Sequence, residues 1–319
     1  MTDRALARLA LLALALVLGA CALFRQPHPD TFAFAALGDV PYTESALPSF
    51  EAMMRTIDAE PLAFAVHVGD FKAGSKSPCT DALFADRKAR FDRSRHPFVL
   101  TPGDNDWTDC RRDSNGKADA LERLAKLREV FFADAYSLGR TRMPLAVQEA
   151  CAERSRDGCA CPGLPENRLW SRQGVVFATV HVVGSNDNNG FDAASDAEQR
   201  CRRAANRAWL ESAFRLAGGT GQRGLAVFVH ADPWERSENA IFAPFLREMA
   251  TGAKQLGKPV LFVHGDSHIH RVDQPFVDGD GRRVKNLTRL EVPGFPLIGW
   301  VKVTVDPNDP DLFRLERRN

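Results

Sequence analysis

The sequence predicts a layered α/β fold. Short apolar runs recur along it, each stops at a Gly-Asp or a similar polar cluster, and amphipathic stretches alternate with the runs. Runs of four to eight residues rich in Val, Phe and Ala, bounded by Gly or Pro, are what strands buried on both faces look like, and alternation with helical patterns argues for helices packed on a sheet. With 319 residues there is room for one large domain or two small ones, and a chain of this size buries roughly three quarters of its unfolded surface. The charge is balanced, 42 Lys+Arg against 41 Asp+Glu. No basic footprint marks a nucleic acid as a binding partner.

Residues 1–20 read as a processing segment. Arg4 and Arg8 precede a run over 9–18 made only of Leu, Ala and Val, the basic and apolar regions of a secretory signal peptide. The run is too short to span a bilayer. Leu18-Gly19-Ala20-Cys21 resembles a bacterial lipobox, which implies a lipoprotein of the cell envelope, held to the membrane through a lipidated Cys21 and facing the periplasm or the cell exterior. Removing Arg4, Arg8 and Asp3 with the signal leaves 40 basic against 40 acidic residues. Residues 21–30, with Pro27 and Pro29, read as a linker, and 31–319 as a single domain. The six remaining cysteines, Cys79, Cys110, Cys151, Cys159, Cys161 and Cys201, are an even number in an exported chain and suggest disulfides. No C-x-x-C pair points to zinc.

Within the domain, the run over 31–37 ends at Gly38-Asp39, that over 62–68 at Gly69-Asp70, and that over 98–100 at Thr101-Pro102-Gly103-Asp104-Asn105-Asp106. Ser77-Pro78 predicts an N-cap and a first helical residue for a helix running to about 93. Residues 107–172, which hold four of the cysteines, fit the theme poorly and read as an insertion, part helix and part disulfide-tied loop, over the mouth of a site. Strand-like runs return at 175–183, 225–229 and 260–263. Ser195-Asp196-Ala197-Glu198 reads as a capping box, opening a helix to about 217 with Ala205, Trp209, Leu210, Phe214 and Leu216 as its buried stripe. Further helices are expected near 46–59, 117–133 and 238–255, and two antiparallel strands at 301–305 and 312–315.

The chemistry collects where the apolar runs stop: Asp39, Asp70, Asp104 with Asn105 and Asp106, His230, then Asp266 and His268 within Val-His-Gly-Asp-Ser-His-Ile-His at 263–270. In an α/β sheet the carboxyl ends of the strands share one edge, so residues far apart in sequence converge there. Carboxylate and imidazole are the commonest non-sulfur metal ligands, and several at one edge could hold one or two divalent cations.

This order and spacing resemble the calcineurin-like metallophosphoesterase superfamily, whose motifs run D-x-H, G-D, G-N-H-[DE], a lone His and G-H-x-H. The matching residues are Gly38-Asp39-Val40-Pro41, Gly69-Asp70, Gly103-Asp104-Asn105-Asp106, His230 and Gly265-Asp266-Ser267-His268, a resemblance spanning about 35 to about 305. It implies a four-layer αββα sandwich and a small phosphate mono- or diester hydrolysed by metal-activated water. It also implies a ligand set: Asp39 and His268 on a first metal, Asp70 bridging, and Asp104, His230 and Asp266 on a second, with Mn, Mg, Fe or Zn as the ions. Pro41 stands where the first motif supplies a His, Asp104 replaces an Asn, and Asp266 replaces a His. The added carboxylates favour Mn or Mg. Asn105 stands where the family places the His that assists the leaving group, and an amide cannot donate a proton as an acid does. Asp106 is the candidate substitute acid. Lys72, two residues past Asp70, is expected to replace part of the first metal with its ammonium. The losses at Pro41 and Asn105 motivate an alternative, an impaired relative acting as an envelope binding or structural module.

Gly219-Thr220-Gly221-Gln222-Arg223-Gly224 matches G-x-G-x-x-G by letters, but follows a helix and precedes a strand, the reverse of a dinucleotide loop. His67, His181 and His264 lie in apolar runs and read as core. Cys79 and Cys110 follow the second and third motifs closely, so a bridge between those two loops is expected. Oligomeric state leaves no mark in the sequence.

Overall fold

The computed structural model describes residues 30–150, 163–235 and 239–319. The signal segment, Cys21, Cys151, Cys159 and Cys161 lie outside the described residues. Strands β1 (Phe32–Leu37), β2 (Ala65–His67) and β3 (Phe98–Leu100) are parallel, and β11 (Trp300–Val305) and β12 (Phe313–Arg318) extend them antiparallel in the order β12-β11-β1-β2-β3. A second sheet runs β4 (Ala146–Gln148), β5 (Leu164–Arg172), β6 (Val175–Thr179), β7 (Gly224–Phe228), β8 (Val260–His264), β10 (Leu287–Glu291), β9 (Arg271–Asp273), with β6, β7, β8 and β10 parallel.

The two sheets pack face to face. Phe34 and Ala36 of β1 meet Phe177, Phe228 and Leu261 of the other sheet in one apolar cluster, and the Phe34 ring lies 5.7 Å from Phe177 and 5.8 Å from Phe228. The alternate residues Ala33, Ala35 and Leu37 face outward against helices α1 (Leu47–Ala59), α2 (Asp81–Phe91) and α3 (Ala120–Phe131). On the far side α4 (Ala193–Gly218) and α5 (Asn239–Leu256) cover β6, β7 and β8. Four layers result, αββα, and β1 is apolar throughout because both of its faces are covered.

Several boundaries differ from expectation for identifiable reasons. Ser77 does not cap α2. Asn115 holds the Ser77 amide through its side chain (3.1 Å) and the Cys79 amide through its carbonyl (3.2 Å), and Thr80 caps the helix by accepting from the Leu83 amide at 3.1 Å. Asp192, not Ser195, caps α4, accepting from the Ser195 amide at 2.7 Å, and Glu198 turns to Arg202. Leu216 leaves the buried stripe and is 42% exposed, while Ala213 and Ala217 are buried in its place. Within 107–172, β4 and β5 are strands of the seven-stranded sheet, antiparallel to their neighbours, where the sequence predicts a helix and a disulfide-tied loop. Cys79 and Cys110 form a disulfide, joining the loops after the second and third motifs.

Candidate metal centre

The strand ends deliver Asp39, Asp70, Asp266 and His268 in left-handed backbone conformations, with φ of 56, 59, 79 and 63°. Such conformations are rare for residues other than Gly, Asn and Asp, and they concentrate at functional sites. Gly265 is required by close approach, since a Cβ there would stand 2.2 Å from Asp39 Oδ2.

Asp106 is a staple, not an acid facing the cleft. Its carboxylate is fully buried and accepts from the backbone amides of Asp70 (2.9 Å), Phe71 (2.9 Å) and Gly103 (2.8 Å), which locks the second and third motifs together. Burial pushes its pKa up to about 6 against the pull of these donors, but both oxygens are committed to them. Lys72 is also buried, and its Nζ donates to the carbonyls of Ala73 (2.8 Å) and Asn105 (2.9 Å). Desolvation lowers its pKa, and the ammonium braces the motif loops through these two carbonyls, where the sequence predicts a stand-in for part of the first metal. Asn105 sits beside the carboxylates: its amide nitrogen Nδ2 donates to Asp70 Oδ2 and, at 3.3 Å, to the Tyr42 hydroxyl, and its backbone N–H reaches Asp70 Oδ1 at 3.0 Å.

His230 stands at the centre. Its Nδ1 lies 2.8 Å from the Val68 carbonyl and therefore carries a proton, which leaves Nε2 aimed at Asp104 Oδ1 (2.9 Å), Asp70 Oδ1 (3.3 Å) and Asp266 Oδ1 (3.6 Å). Two groups of potential ligand atoms converge on it, Asp39–Asp70–His230 and Asp104–His230–Asp266, each with all its atoms within 4.8 Å of one another. His268 lies to the Asp39 side, its Nε2 3.7 Å from Asp39 Oδ1. Sequence reasoning missed Tyr42, whose hydroxyl donates to Asp70 Oδ2 at 2.9 Å and lies 2.9 Å from His268 Nε2, with its ring stacked on Phe295. The signal was its place just after Pro41, where the first motif loses its histidine.

The donor set fits a divalent cation. Asp39 Oδ2 is buried with no hydrogen-bond partner. Burial pushes the Asp39 pKa up to about 8, Asp266 and Asp104 add to the rise, and His230 opposes it. Asp70 is raised well above the carboxylate range, chiefly by burial. His230 is itself held well above its ordinary value, because Asp70, Asp104 and Asp266 outweigh its burial. Asp104 is lowered, since the donors His230 and Ser185 overcome desolvation. Carboxylates crowded in this way around one imidazole lack positive charge, and hard oxygen donors suit Mn or Mg.

No protein-family model matches the chain, and no curated protein matches its sequence. Solved structures do. The chain is similar to a dimetal phosphatase from Danio rerio, with 12% identity, a TM-score of 0.50, and coverage of 90% of this chain and 96% of that one. The two chains share a fold. The chain is similar to the same degree to GAP50, the anchor in the inner membrane complex of Plasmodium, with 13% identity, a TM-score of 0.50, and coverage of 91% and 89%. At these identities the likeness is one of fold. Four further histidines of the described residues have partners in the scaffold. His67 lies 2.7 Å from the Val40 carbonyl and accepts from the Gly69 amide, His181 faces Glu166, and His264 and His270 face backbone carbonyls. Glu291, at the end of β10, accepts from Ser267 Oγ and the Ile269 amide and so fixes the loop that carries Asp266 and His268.

Proposed function

We propose that the chain is a metal-dependent phosphoesterase acting on a small phosphate mono- or diester. The observation that carries this reading is the convergence of Asp39, Asp70, Asp104, His230 and Asp266, from the ends of separate strands, into two ligand groups that share one imidazole. These residues, with His268, would hold one or two divalent ions. A cation so held acidifies water and neutralises phosphoryl oxygens. The chain's own residues then define what the site does well. Asn105, whose amide is held between Asp70 and the Tyr42 hydroxyl, can orient the ester but gives the leaving group no proton. With Asp106 committed to backbone amides, turnover should favour aryl phosphates, whose leaving groups need no acid, over alkyl phosphates.

Cys21 would tether this domain to the envelope membrane. No described helix is long and apolar enough to cross one. A second reading, a fold retained for binding or anchoring, is supported by Asn105 in the acid position and by Tyr42 on Asp70 and His268. GAP50, named as an anchor, is compatible with it. Metal analysis beside a panel of aryl and alkyl phosphomono- and diesters, with Mn, Mg, Zn or Ca added, separates the two. The enzyme reading expects metal-dependent turnover that falls at least about 1,000-fold in Asp70→Asn. Stoichiometric binding without turnover on any ester selects the second reading.

A further inference from the structure

Residues 184–190 read Gly-Ser-Asn-Asp-Asn-Asn-Gly, beyond β6 and ahead of α4. Four successive residues, none of them glycine, have left-handed φ angles: Ser185 49°, Asn186 54°, Asp187 52° and Asn188 64°. Left-handed backbone is unfavourable for an L-residue and occurs as single residues, so a run of four persists only where its surroundings over-determine it. They do so here. Arg202 donates to the Asp187 carboxylate at 2.6 Å and to the Asp187 carbonyl at 2.8 Å, Gln199 donates to the second Asp187 oxygen at 3.0 Å, and Arg111 donates to the Asn188 side chain.

The start of this turn is pressed against the metal centre. A Cβ on Gly184 would stand 2.8 Å from Asp266 Oδ2 and 2.9 Å from Asp104 Oδ1, the two carboxylates of the second ligand group. Gly184 is not among the left-handed residues, so a side chain there would be opposed by these two carboxylates and not by the backbone conformation. Next to it, the Ser185 hydroxyl lies 2.8 Å from Asp104 Oδ2 and 2.7 Å from Asp109 Oδ1. Asp104 is thus shared, one oxygen on Ser185 and the other facing His230. The turn bonds Asp104 through Ser185, leaves no room for a side chain beside Asp104 and Asp266, and belongs to none of the motifs that supply ligands.

We propose that the 184–188 turn is a positioning element for the Asp104–His230–Asp266 cation site. Gly184, by having no side chain, leaves the two carboxylates the space to lie close together, and Ser185 fixes the rotation of Asp104 so that Oδ1 is left for the ion. The proposal rests on the metal reading above. Groups that orient metal ligands in this way are typically worth 10- to 100-fold in metal affinity. Titration of the whole domain with manganese, followed by calorimetry and by the paramagnetic resonance of free Mn, tests it without reference to turnover. Ser185→Ala should weaken one site about 10-fold, Ser185→Thr, which keeps the hydroxyl, should restore it, and Gly184→Ala should lose that site while the ion at Asp39, Asp70 and His268 stays. Circular dichroism checks folding, and if Gly184→Ala unfolds, the Ser185 pair decides. Ser185→Ala binding manganese as the parent protein does would overturn the proposal and leave the metal reading intact. A parent protein that binds no manganese would overturn both.

Discussion

Glu166 and Asp39 are both carboxylates with no exposure to solvent, yet the fold surrounds them differently. Glu166, in β5, faces His181 Nδ1 at 2.6 Å and receives Arg128 through Nη2 at 2.6 Å and Nε at 3.0 Å. Burial would raise its pKa, but these partners outweigh burial and hold it far below the carboxylate range. Asp39 has the Asp266 amide on one oxygen and nothing on the other, and its pKa is pushed up to about 8. Buried charges in folded proteins are paired or coordinate metals. Glu166 is a completed ion pair serving the scaffold. Asp39 and its neighbours are short of positive charge, and that deficit marks where an ion belongs.

Breaking the scaffold pair has the largest expected effect on stability. Glu166→Ala strands Arg128 beside a buried imidazole and should cost about 3 kcal/mol, the low end for a buried pair because Arg128 is partly open to solvent. The denaturation midpoint should fall at constant slope. The pH dependence follows from the sign of the shift. A carboxylate whose folded pKa lies below the ordinary 4.5 lends stability that is fully present above that value and lost as pH falls through it. Glu166→Gln should therefore flatten the acid limb of the stability profile below about pH 4.5. A normal acid limb in that variant would end the contrast with Asp39.

Asp106 sharpens the contrast from the other side. It neighbours the metal centre but resembles Glu166 in being satisfied by the fold. Asp106→Asn should lose about 2 kcal/mol, the scale of hydrogen bonds to a charged acceptor, with turnover reduced and the shape of its pH profile unchanged. Disappearance of one limb of that profile would return Asp106 to the role of an acid.

The strand ends and their order were legible because a strand buried on both faces leaves a continuous apolar run and a Gly-Asp stop. Asp39, Asp70, Asp104, His230, Asp266 and His268 could thus be placed on one edge from sequence. The roles of Asp106 and Lys72 were not legible. Spacing shows which side chains are near a site, but not which backbone amides and carbonyls compete for them. β5 was hidden because its residues Leu164–Arg172 bury Glu166, Asn167 and Arg168, polar groups that erase the apolar signal, with Glu166 held by Arg128 and His181 and Asn167 by Gln148 and Asn206. Thr80 and Asp192 displaced the expected caps because Asn115 and Arg202 fix the preceding chain in ways that local pattern cannot contain. Ser185 gave no signal beyond a run of Asn and Asp, the residues that tolerate left-handed backbone.

The Asp39–Asp70–Asp104–His230–Asp266 cluster is built to hold a cation, and thermal melting of chelated protein with and without manganese at about pH 6 and about pH 8 tests this most directly. The raised pKa of Asp39 means that its contribution to stability is full below the ordinary 3.8 and is lost as pH rises through about 8. His230, raised above 6.5, acts in the same direction, its contribution lost as pH rises through its folded value. Chelated protein should lose stability at this site toward pH 8, and an ion that replaces those protons should restore it. At 100 times its dissociation constant, manganese should add about 2.7 kcal/mol, a rise of several degrees in Tm that is larger at pH 8 than at pH 6. No rise at either pH, or a larger one at pH 6, would contradict the account.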